Sequence, residues 1–308
     1  YRAAAAGWLE RRLGVTVADS EVAACIGTKE VVAGLPHWLR LRQPDRDTVL
    51  YPAVSYPTYA MGATLAGCRA VPVPVDDRWR IRLDSIADTD AARALCLWVN
   101  TPGNPAGGLD DLGAAAQWGR ERGVPVVSDE CYVEFTWAGP PRSILQHGTT
   151  GVLAVHSLSK RSNLAGARIG FYAGDAELVH YLSEVRKHAG FMPSGPEQAA
   201  GAVAWSDDVH VEQQRDRYRE RLSLVGDALR STGLEVTDPD GAFYLWVPAP
   251  AGDSWGLARR LAEQCGALVS PGEFYGDAAA SHVRLAMVQP TDTLRDLADR
   301  LSHARLVG

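Results

Sequence analysis

Short apolar runs alternate with helical stretches between residues 48 and 173, and this alternation constrains the fold more than any other feature of the chain. The runs are rich in Val, Ile and Leu and nearly continuous, which is typical of strands buried on both faces of a sheet. Strands that alternate with helices favour right-handed crossovers and a mostly parallel sheet. The predicted strands cover residues 70–75, 94–99, 125–128, 152–156 and 169–173, with a helix over 110–122.

The pattern changes toward the C-terminus. A long charged helix is predicted for residues 209–231, and shorter helices follow it together with strands at 243–247 and 283–287. This mixture is typical of a smaller α+β domain. We therefore expect an α/β chain with a large domain over residues 1–200 and a small C-terminal domain over 201–308.

Composition excludes several classes of protein. With 46% hydrophobic and 22% charged residues among 308, the chain can bury a substantial core and is not intrinsically disordered. Its net charge of −6 argues against a nucleic-acid partner, and no apolar run approaches the ~20 residues of a membrane span. The five cysteines are scattered, which argues against disulfides and a metal site and favours a reducing, cytoplasmic location.

Lys160 is the strongest candidate for covalent chemistry. It is one of only three lysines, and it lies in the segment SLSKRSNLAGARIG, directly after a predicted strand. An amine held there can form a Schiff base with an aldehyde cofactor if its surroundings favour the neutral form. Ser157 and Arg168 flank it and can hold a phosphate, the arginine through two parallel hydrogen bonds. A solvated lysine in a surface loop is the alternative.

Two turns after predicted strands carry further polar side chains. The segment NTPGNPAG at 100–107 restricts its backbone with Pro and Gly, which is costly unless the loop must hold a set geometry. Asp129 follows the next predicted strand, where a carboxylate is unfavourable unless it is paired. A protonated ring nitrogen is one partner, and a role as helix N-cap is the alternative. Tyr132 is close enough along the chain to hydrogen-bond the phenolate oxygen of the same ring.

Three other segments supply candidate ligands. Gly27, Thr28 and Lys29 open a predicted helix, and the backbone N–H groups at a helix N-terminus bind anions. Tyr56 lies in a Pro-containing loop and can stack on a planar ring, or serve as a core aromatic. Arg284 lies within an apolar strand, where a buried arginine needs an anion. That anion is a substrate carboxylate or, alternatively, an internal Asp or Glu.

Taken in order, these motifs resemble those of the class I/II, or fold type I, pyridoxal-phosphate-dependent aminotransferases. The resemblance extends from about residue 9 to 304 and rests on NxxxNPxG, SDExY, SxSKxxxxxGxRxG, GxFYLW, VSPGExYG and VRLA, an ordered set of high specificity. It implies a mostly parallel central sheet, pyridoxal 5'-phosphate as the cofactor, and amino-acid and 2-oxoacid substrates. It also implies a homodimer whose active sites lie at the subunit interface.

The resemblance implies a role for each candidate. Lys160, Asp129 and Tyr132 are the catalytic residues: Lys160 forms the Schiff base and then acts as the proton-transfer base, Asp129 pairs with the pyridine nitrogen, and Tyr132 contacts the phenolic oxygen. The other cofactor-binding residues are Gly27, Thr28, Lys29, Tyr56, Asn104, Ser157, Ser159 and Arg168. Arg284 binds the substrate α-carboxylate with help from Asn104. No metal ion is expected.

Three segments are similar to those of the N-succinyldiaminopimelate aminotransferases of lysine biosynthesis. They are residues 159–166, IGTKE at 26–30 and YPTY at 56–59. That similarity implies glutamate as amino donor and a succinylated amino-oxo-pimelate as acceptor. A substrate with several carboxylates needs a second basic contact, for which Lys29 and Arg161 are candidates. A phosphate ligand or a surface charge is the alternative role for either residue. The alternatives are a broad-range or aromatic aminotransferase, a specialised-metabolism relative, a lyase or synthase of the same fold, and a non-catalytic ligand-sensing regulator domain.

Relatives of this kind begin with an N-terminal arm that helps to close the active site. The present sequence starts at Tyr1 rather than at Met. The helix predicted over its first residues has no N-cap residue before it. We therefore expect the arm to lie upstream of Tyr1.

Overall fold

The computed structural model describes residues 1–307. The α-helices are Arg2–Leu13 (α1), Thr28–Arg42 (α2), Thr58–Leu65 (α3), Asp88–Ala91 (α4), Leu112–Arg122 (α5), Leu158–Arg161 (α6), Ala176–His188 (α7), Gly195–Ser206 (α8), Val209–Ser231 (α9), Ser254–Cys265 (α10) and Thr291–Leu301 (α11). The strands are Val22–Cys25 (β1), Thr48–Pro52 (β2), Arg69–Val73 (β3), Ala94–Asn100 (β4), Val126–Asp129 (β5), Val152–Ser157 (β6), Gly170–Gly174 (β7), Tyr244–Pro248 (β8), Ser270–Pro271 (β9) and His282–Ala286 (β10).

Seven strands form the main sheet, in the order β1-β7-β6-β5-β4-β2-β3. The five strands from β6 to β3 run parallel, whereas β7 is antiparallel to β6 and β1 is antiparallel to β7. The predicted α/β fold with a mostly parallel sheet is therefore confirmed. The predicted strands did not include β1, because its four residues, VAAC, are as compatible with a helix as with a strand.

The apolar runs of the sequence reflect burial of the sheet on both faces. Every residue of β4 is buried, and its side chains enter two separate hydrophobic clusters. Leu97 and Val99 belong to the cluster that contains Trp8 of α1, whereas Cys96 and Trp98 belong to the other. A strand that must be apolar on both faces loses the alternation of a half-buried strand, which is why these segments were recognisable as near-continuous runs.

The C-terminal part has its own sheet and core. Strands β8, β10 and β9 form a three-stranded antiparallel sheet in that order. Leucines of α9, α10 and α11 pack with it in a third hydrophobic cluster. Helix α9 spans the predicted residues 209–231, and the domain boundary at residue 200 stays a prediction. None of the helices within residues 1–307 is long and apolar enough to cross a membrane.

Three neighbouring parallel strands end in polar side chains. Asn100, Asp129 and Ser157 are the last residues of β4, β5 and β6, and all three are buried. Asn100 and Asp129 are directly paired in the register of β4 and β5. Because the carboxyl ends of parallel strands lie at one edge of a sheet, the fold brings these side chains together at the place where α/β proteins bind ligands.

A buried carboxyl–imidazole pair lies next to the last residues of β5 and β6. Glu130 follows Asp129, His156 precedes Ser157, and Glu130 Oε2 lies 3.3 Å from His156 Nε2. Burial raises the pKa of Glu130 to about 7 and lowers the pKa of His156 to about 3. Between these values the pair consists of a protonated carboxyl and a neutral imidazole, so neither charge is buried.

Glu130→Gln is expected to change how stability depends on pH. The raised pKa means that the folded state binds this proton more tightly than the unfolded state, whose ordinary value is 4.5. The contribution of Glu130 to folding stability is therefore fully present below pH 4.5 and is lost as pH rises through about 7. A shift of this size corresponds to roughly 3 kcal/mol. Glutamine cannot ionise, so the variant does not lose this contribution. Its free energy of unfolding relative to wild type should therefore rise by about that much between pH 5 and pH 8.

Urea unfolding of wild type and Glu130→Gln at both pH values measures this change. The contribution of His156 is common to both proteins and cancels in the comparison. A difference in the free energy of unfolding that is the same at pH 5 and at pH 8 would contradict the prediction.

Candidate active site

The polar edge of the main sheet opens into a cavity of about 360 Å³. This volume lies in the range of small-molecule sites, ~300–1,000 Å³. The residues predicted from the sequence that line it are Thr28, Lys29, Tyr56, Asn104, Asp129, Tyr132, Ser157, Ser159, Lys160, Arg168 and Arg284. Gly27, which does not line the cavity itself, lies against the Arg168 side chain. The fold therefore brings every predicted site residue except Arg161 to one place, although these residues span most of the sequence.

One end of the cavity is suited to an anion. Helix α2 begins at Thr28, so its free N–H groups lie at this end. Gly27 has φ +67°, and a Cβ built at this position would overlap the Arg168 guanidinium. Arg168 Nη1 donates to the Ala165 carbonyl at 2.9 Å. Glycine is thus required both for the backbone turn and for the approach of the arginine to the helix N-terminus.

Lys160 lies in the single-turn helix α6, directly after β6. Ser157 caps this turn, because its Oγ accepts a hydrogen bond from the Ser159 N–H at 3.0 Å. Within residues 1–307 no carboxylate oxygen lies within 4.0 Å of the Lys160 ammonium group, so no ion pair holds it. Lys160 is half-buried and lines the cavity. The alternative of a fully solvated surface lysine does not describe this position.

Asp129 is buried at the end of β5 and is held through both carboxylate oxygens. Oδ2 accepts a hydrogen bond from the Tyr59 hydroxyl at 2.8 Å, and Oδ1 accepts one from the Cys131 N–H at 3.2 Å. Burial raises the pKa of Asp129, while hydrogen bonds from Cys131 and Tyr59 and the positive charge of Lys160 lower it. The next helical turn, at Val133–Phe135, has no side-chain cap, so Asp129 is not a helix N-cap.

A chain of hydrogen bonds fixes the NTPGNPAG loop. Asn100 Nδ2 donates to the Asp129 carbonyl at 2.9 Å, and Asn100 Oδ1 accepts from the Asn104 N–H at 2.8 Å. Asn104 Oδ1 then accepts from Arg284 Nη1 at 2.7 Å. The loop therefore holds a set geometry, as its composition predicted. Asn100 is the residue that sets this geometry. From the sequence it was noted only as the first residue of the NTPGNPAG segment, with no role of its own.

Arg284 is half-buried, and its guanidinium lies over the rings of Tyr244 and Tyr275, at 4.3 and 4.8 Å from their centroids. Its Nε is buried without a hydrogen-bond partner. In the described part of the chain no carboxylate lies within 4.0 Å of this guanidinium, so an internal Asp or Glu is not its partner there. The group retains hydrogen-bonding capacity for a carboxylate that enters the cavity.

Two tyrosines in or beside the site, Tyr244 and Tyr59, were not predicted from the sequence. The Tyr132 and Tyr244 hydroxyls lie 2.8 Å apart, and burial raises the pKa of Tyr244 to about 12. Tyr59 lies behind Asp129 rather than in the cavity wall. Both lie in motifs that the sequence offered, GxFYLW and YPTY, but nothing local marks their contact with residues more than 60 positions away.

The two candidates for a second basic contact differ in position. Lys29 lines the cavity, and its Nζ lies 5.5 Å from the centroid of the Tyr56 ring. Arg161 is only 2% exposed and is paired with Glu134 and Asp208. Arg161 does not line the cavity, so its suggested contact with substrate was wrong. The five N–H donors of Arg161 are taken up by Glu134, Asp208, the Ser162 hydroxyl and two backbone carbonyls, so none remains for a substrate.

The residues present fit pyridoxal 5'-phosphate. Thr28, Ser157, Ser159 and Arg168, with the start of α2, supply donors for a phosphate. A buried carboxylate that lines the same cavity, Asp129, provides the charge that a protonated pyridine nitrogen needs. Lys160 supplies an amine with no acidic partner in the described residues. We propose that Gly27, Lys29, Tyr56, Asn104 and Tyr132 complete the cofactor site in the roles given above.

Comparison with known proteins agrees with this geometry. The family model described as "Aminotransferase class I and II" matches residues 1–301. The 4-dedimethylamino-4-oxo-anhydrotetracycline transaminase OxyQ of Streptomyces rimosus is 42% identical over 98% of this chain and 82% of its own length. The LL-diaminopimelate aminotransferase of Aquifex aeolicus is 35% identical over 99% of this chain and 81% of its own length.

A solved structure shows the same fold. The protein from Thermus thermophilus described as a "probable N-succinyldiaminopimelate aminotransferase" superposes with a TM-score of 0.89 at 30% identity, over 98% of this chain and 83% of that chain. The curated relatives just described are named as transaminases, which supports an enzyme rather than a non-catalytic sensor. The cofactor of this family is pyridoxal 5'-phosphate. The chain therefore belongs to the class I and II aminotransferases.

Proposed function

We propose that the chain transfers an amino group from N-succinyl-LL-2,6-diaminopimelate to 2-oxoglutarate, giving N-succinyl-2-amino-6-oxopimelate and glutamate in lysine biosynthesis. The observation that most supports an amino-acid substrate is the position of the Arg284 guanidinium. It lies beside Asn104, on the wall of the cavity that Lys160 also lines. The diaminopimelate class is supported by relatives named LL-diaminopimelate aminotransferase and by the Thermus thermophilus structure. We also propose a cytoplasmic homodimer.

The side chains of this chain divide the work of the reaction. The bound cofactor supplies an aldehyde carbon and an electron-withdrawing ring. Lys160 would hold the cofactor through its amine and, when that amine is free, would act as the base that moves the proton at the substrate Cα. Asp129 keeps the ring nitrogen protonated by favouring its cationic form. Arg284 and Asn104 hold the α-carboxylate, which fixes the Cα near Lys160.

A bulky ketone is the second candidate substrate, and it has its own support. A further cavity of about 560 Å³ shares Lys160, Tyr244 and Arg284 with the first and is lined by Tyr218 and Phe243. The relative named as an anhydrotetracycline transaminase, OxyQ, is also more similar to this chain than the diaminopimelate relative described above, at 42% against 35% identity. Both candidates require the same amino-transfer chemistry, so a substrate panel separates them.

We expect the purified enzyme to prefer glutamate and the succinylated amino-oxo-pimelate over aromatic substrates by at least about 100-fold in kcat/KM. A site with charged groups placed for carboxylates leaves them unpaired when an aromatic side chain binds. The panel should contain the succinylated acceptor, its unsuccinylated counterpart, an aromatic 2-oxoacid and a polycyclic ketone. Equal or better rates with the aromatic 2-oxoacid or the polycyclic ketone would contradict the proposed substrate, although not the amino-transfer reaction.

A further inference from the structure

Tyr59 is a buried residue in contact with the proposed catalytic carboxylate, and the functions described so far give it no role. It lies on α3, is fully buried, and does not line the cavity. Its hydroxyl donates to Asp129 Oδ2 at 2.8 Å. The phenol ring stacks on Trp98 of β4, with ring centroids 5.0 Å apart and an interplanar angle of 24°. The indole thus fixes the direction in which the hydroxyl points.

The Tyr59 hydroxyl is the donor in this hydrogen bond. Burial and the negative charge of Asp129 both raise the pKa of Tyr59, so the phenol keeps its proton and acts as the donor. Asp129 accepts at Oδ2 from Tyr59 and at Oδ1 from the Cys131 N–H. These two donors occupy one lone pair on each carboxylate oxygen. They leave acceptor capacity on the oxygens, because each carboxylate oxygen has two lone pairs.

The electrostatic need for such a donor follows from burial. Asp129 is 6% exposed, and an ionised carboxylate in that surrounding is strongly disfavoured unless hydrogen bonds or a positive charge stabilise it. Lys160, which lines the same cavity, is one source of positive charge that lowers the pKa of Asp129. Besides the weaker Cys131 thiol, the Tyr59 hydroxyl is the one side-chain donor that lowers the pKa of Asp129 in the described residues.

We propose that Tyr59 is a positioning residue, which holds Asp129 ionised and oriented so that the carboxylate can keep the cofactor ring nitrogen protonated. Tyr59 acts through Asp129 and contacts neither the substrate nor the cavity. The inference concerns the cofactor half of the site and does not depend on which amino acceptor the enzyme uses. It therefore stands or falls separately from the diaminopimelate proposal.

The test is Tyr59→Phe, which removes one oxygen atom and leaves the ring and its stacking partner in place. Loss of a hydrogen bond to a charged group should weaken pyridoxal 5'-phosphate binding to the apo-enzyme by about tenfold. Without its donor, Asp129 takes up a proton at higher pH than in wild type. The acid limb of cofactor binding should therefore move to higher pH, and the loss of affinity should be larger at pH 6 than at pH 8. We also expect a lower kcat with a KM for glutamate that changes less than about twofold.

Two controls separate positioning from a structural role. Tyr181→Phe removes a tyrosine hydrogen bond of similar length, 2.7 Å to the Trp38 carbonyl, away from the cavity. It should leave cofactor affinity and its pH profile unchanged. In the second control, Tyr59→Phe is combined with Asp129→Asn, whose amide cannot ionise. In that background Tyr59→Phe should change cofactor affinity by less than about twofold, since the two side chains act as one unit.

Titration with pyridoxal 5'-phosphate, followed by protein fluorescence over pH 5.5–8.5, gives the affinity of each variant. An affinity and acid limb of Tyr59→Phe equal to those of wild type would overturn the proposal. A full tenfold loss that persists in the Asp129→Asn background would also overturn it, because the hydroxyl would then act elsewhere. A lower melting temperature with unchanged cofactor binding would assign Tyr59 to stability alone.

Discussion

Lys160→Ala is expected to lower the transamination rate by at least about 10⁴-fold, the largest effect of any single substitution in this chain. The change removes both the amine that attaches to the cofactor and the base that moves the Cα proton. The phosphate and ring-nitrogen ligands remain, so the variant should still bind pyridoxal 5'-phosphate without a covalent bond. Rates with glutamate and 2-oxoglutarate measure the loss of turnover. Borohydride reduction followed by mass spectrometry measures the loss of covalent attachment, because wild type should retain the added cofactor mass and Lys160→Ala should not.

The chain contains its own control for this experiment. Lys187 is an exposed lysine on α7 and pairs with Glu184 at 2.9 Å. Lys187→Ala makes the same chemical change far from the cavity and should leave rate and covalent attachment within about twofold of wild type. Turnover of Lys160→Ala at more than about a hundredth of the wild-type rate would refute the assignment of the proton-transfer base.

Arg284→Gln is expected to lower kcat/KM for all α-amino acids by about 10²–10³-fold, mostly through KM. The substitution keeps a hydrogen-bond donor but removes the charge that we assign to the α-carboxylate. It should also abolish discrimination between glutamate and 4-aminobutyrate, the amine that lacks the α-carboxylate. Affinity for pyridoxal 5'-phosphate should stay within about threefold of wild type, since Arg284 hydrogen-bonds Asn104 but none of the proposed phosphate and ring-nitrogen ligands in the described residues.

Arg295→Gln provides the matched control in the same part of the chain. Arg295 is an exposed arginine on α11 that pairs with Glu220 and Asp292. Surface pairs of this kind contribute little, so kinetics should be unchanged. If Arg284→Gln retained its preference for glutamate over 4-aminobutyrate, another residue would bind the α-carboxylate.

The parts of the fold that sequence could predict are those that burial imposes locally. β4, β5 and β6 were recognisable because buried parallel strands must be apolar on both faces. The polar residues that follow such runs, Asn100, Asp129 and Ser157, were conspicuous because an apolar strand gives no local reason for them. The structure places them at one edge of the sheet, as the parallel arrangement requires.

What sequence could not predict are contacts between distant segments. Tyr59 and Asp129 are 70 positions apart, and Tyr132 and Tyr244 are 112 apart, so no local pattern pairs them. The same reason explains the error at Arg161. Its position beside Lys160 suggested a place in the site, but its partners Glu134 and Asp208 come from other elements and hold it in the protein interior.

The hydrogen bond from Arg284 to Asn104 joins two parts of the chain with different tasks. The residues that we assign to the cofactor all lie between positions 27 and 168, whereas Arg284 belongs to the separate C-terminal sheet. A substrate carboxylate bound by both side chains would therefore bridge these two parts of the chain while substrate is bound. Sliding of one sheet against the other would alter affinity for substrates while leaving the cofactor ligands in place, so occupancy by substrate and rigidity of the whole chain should rise together.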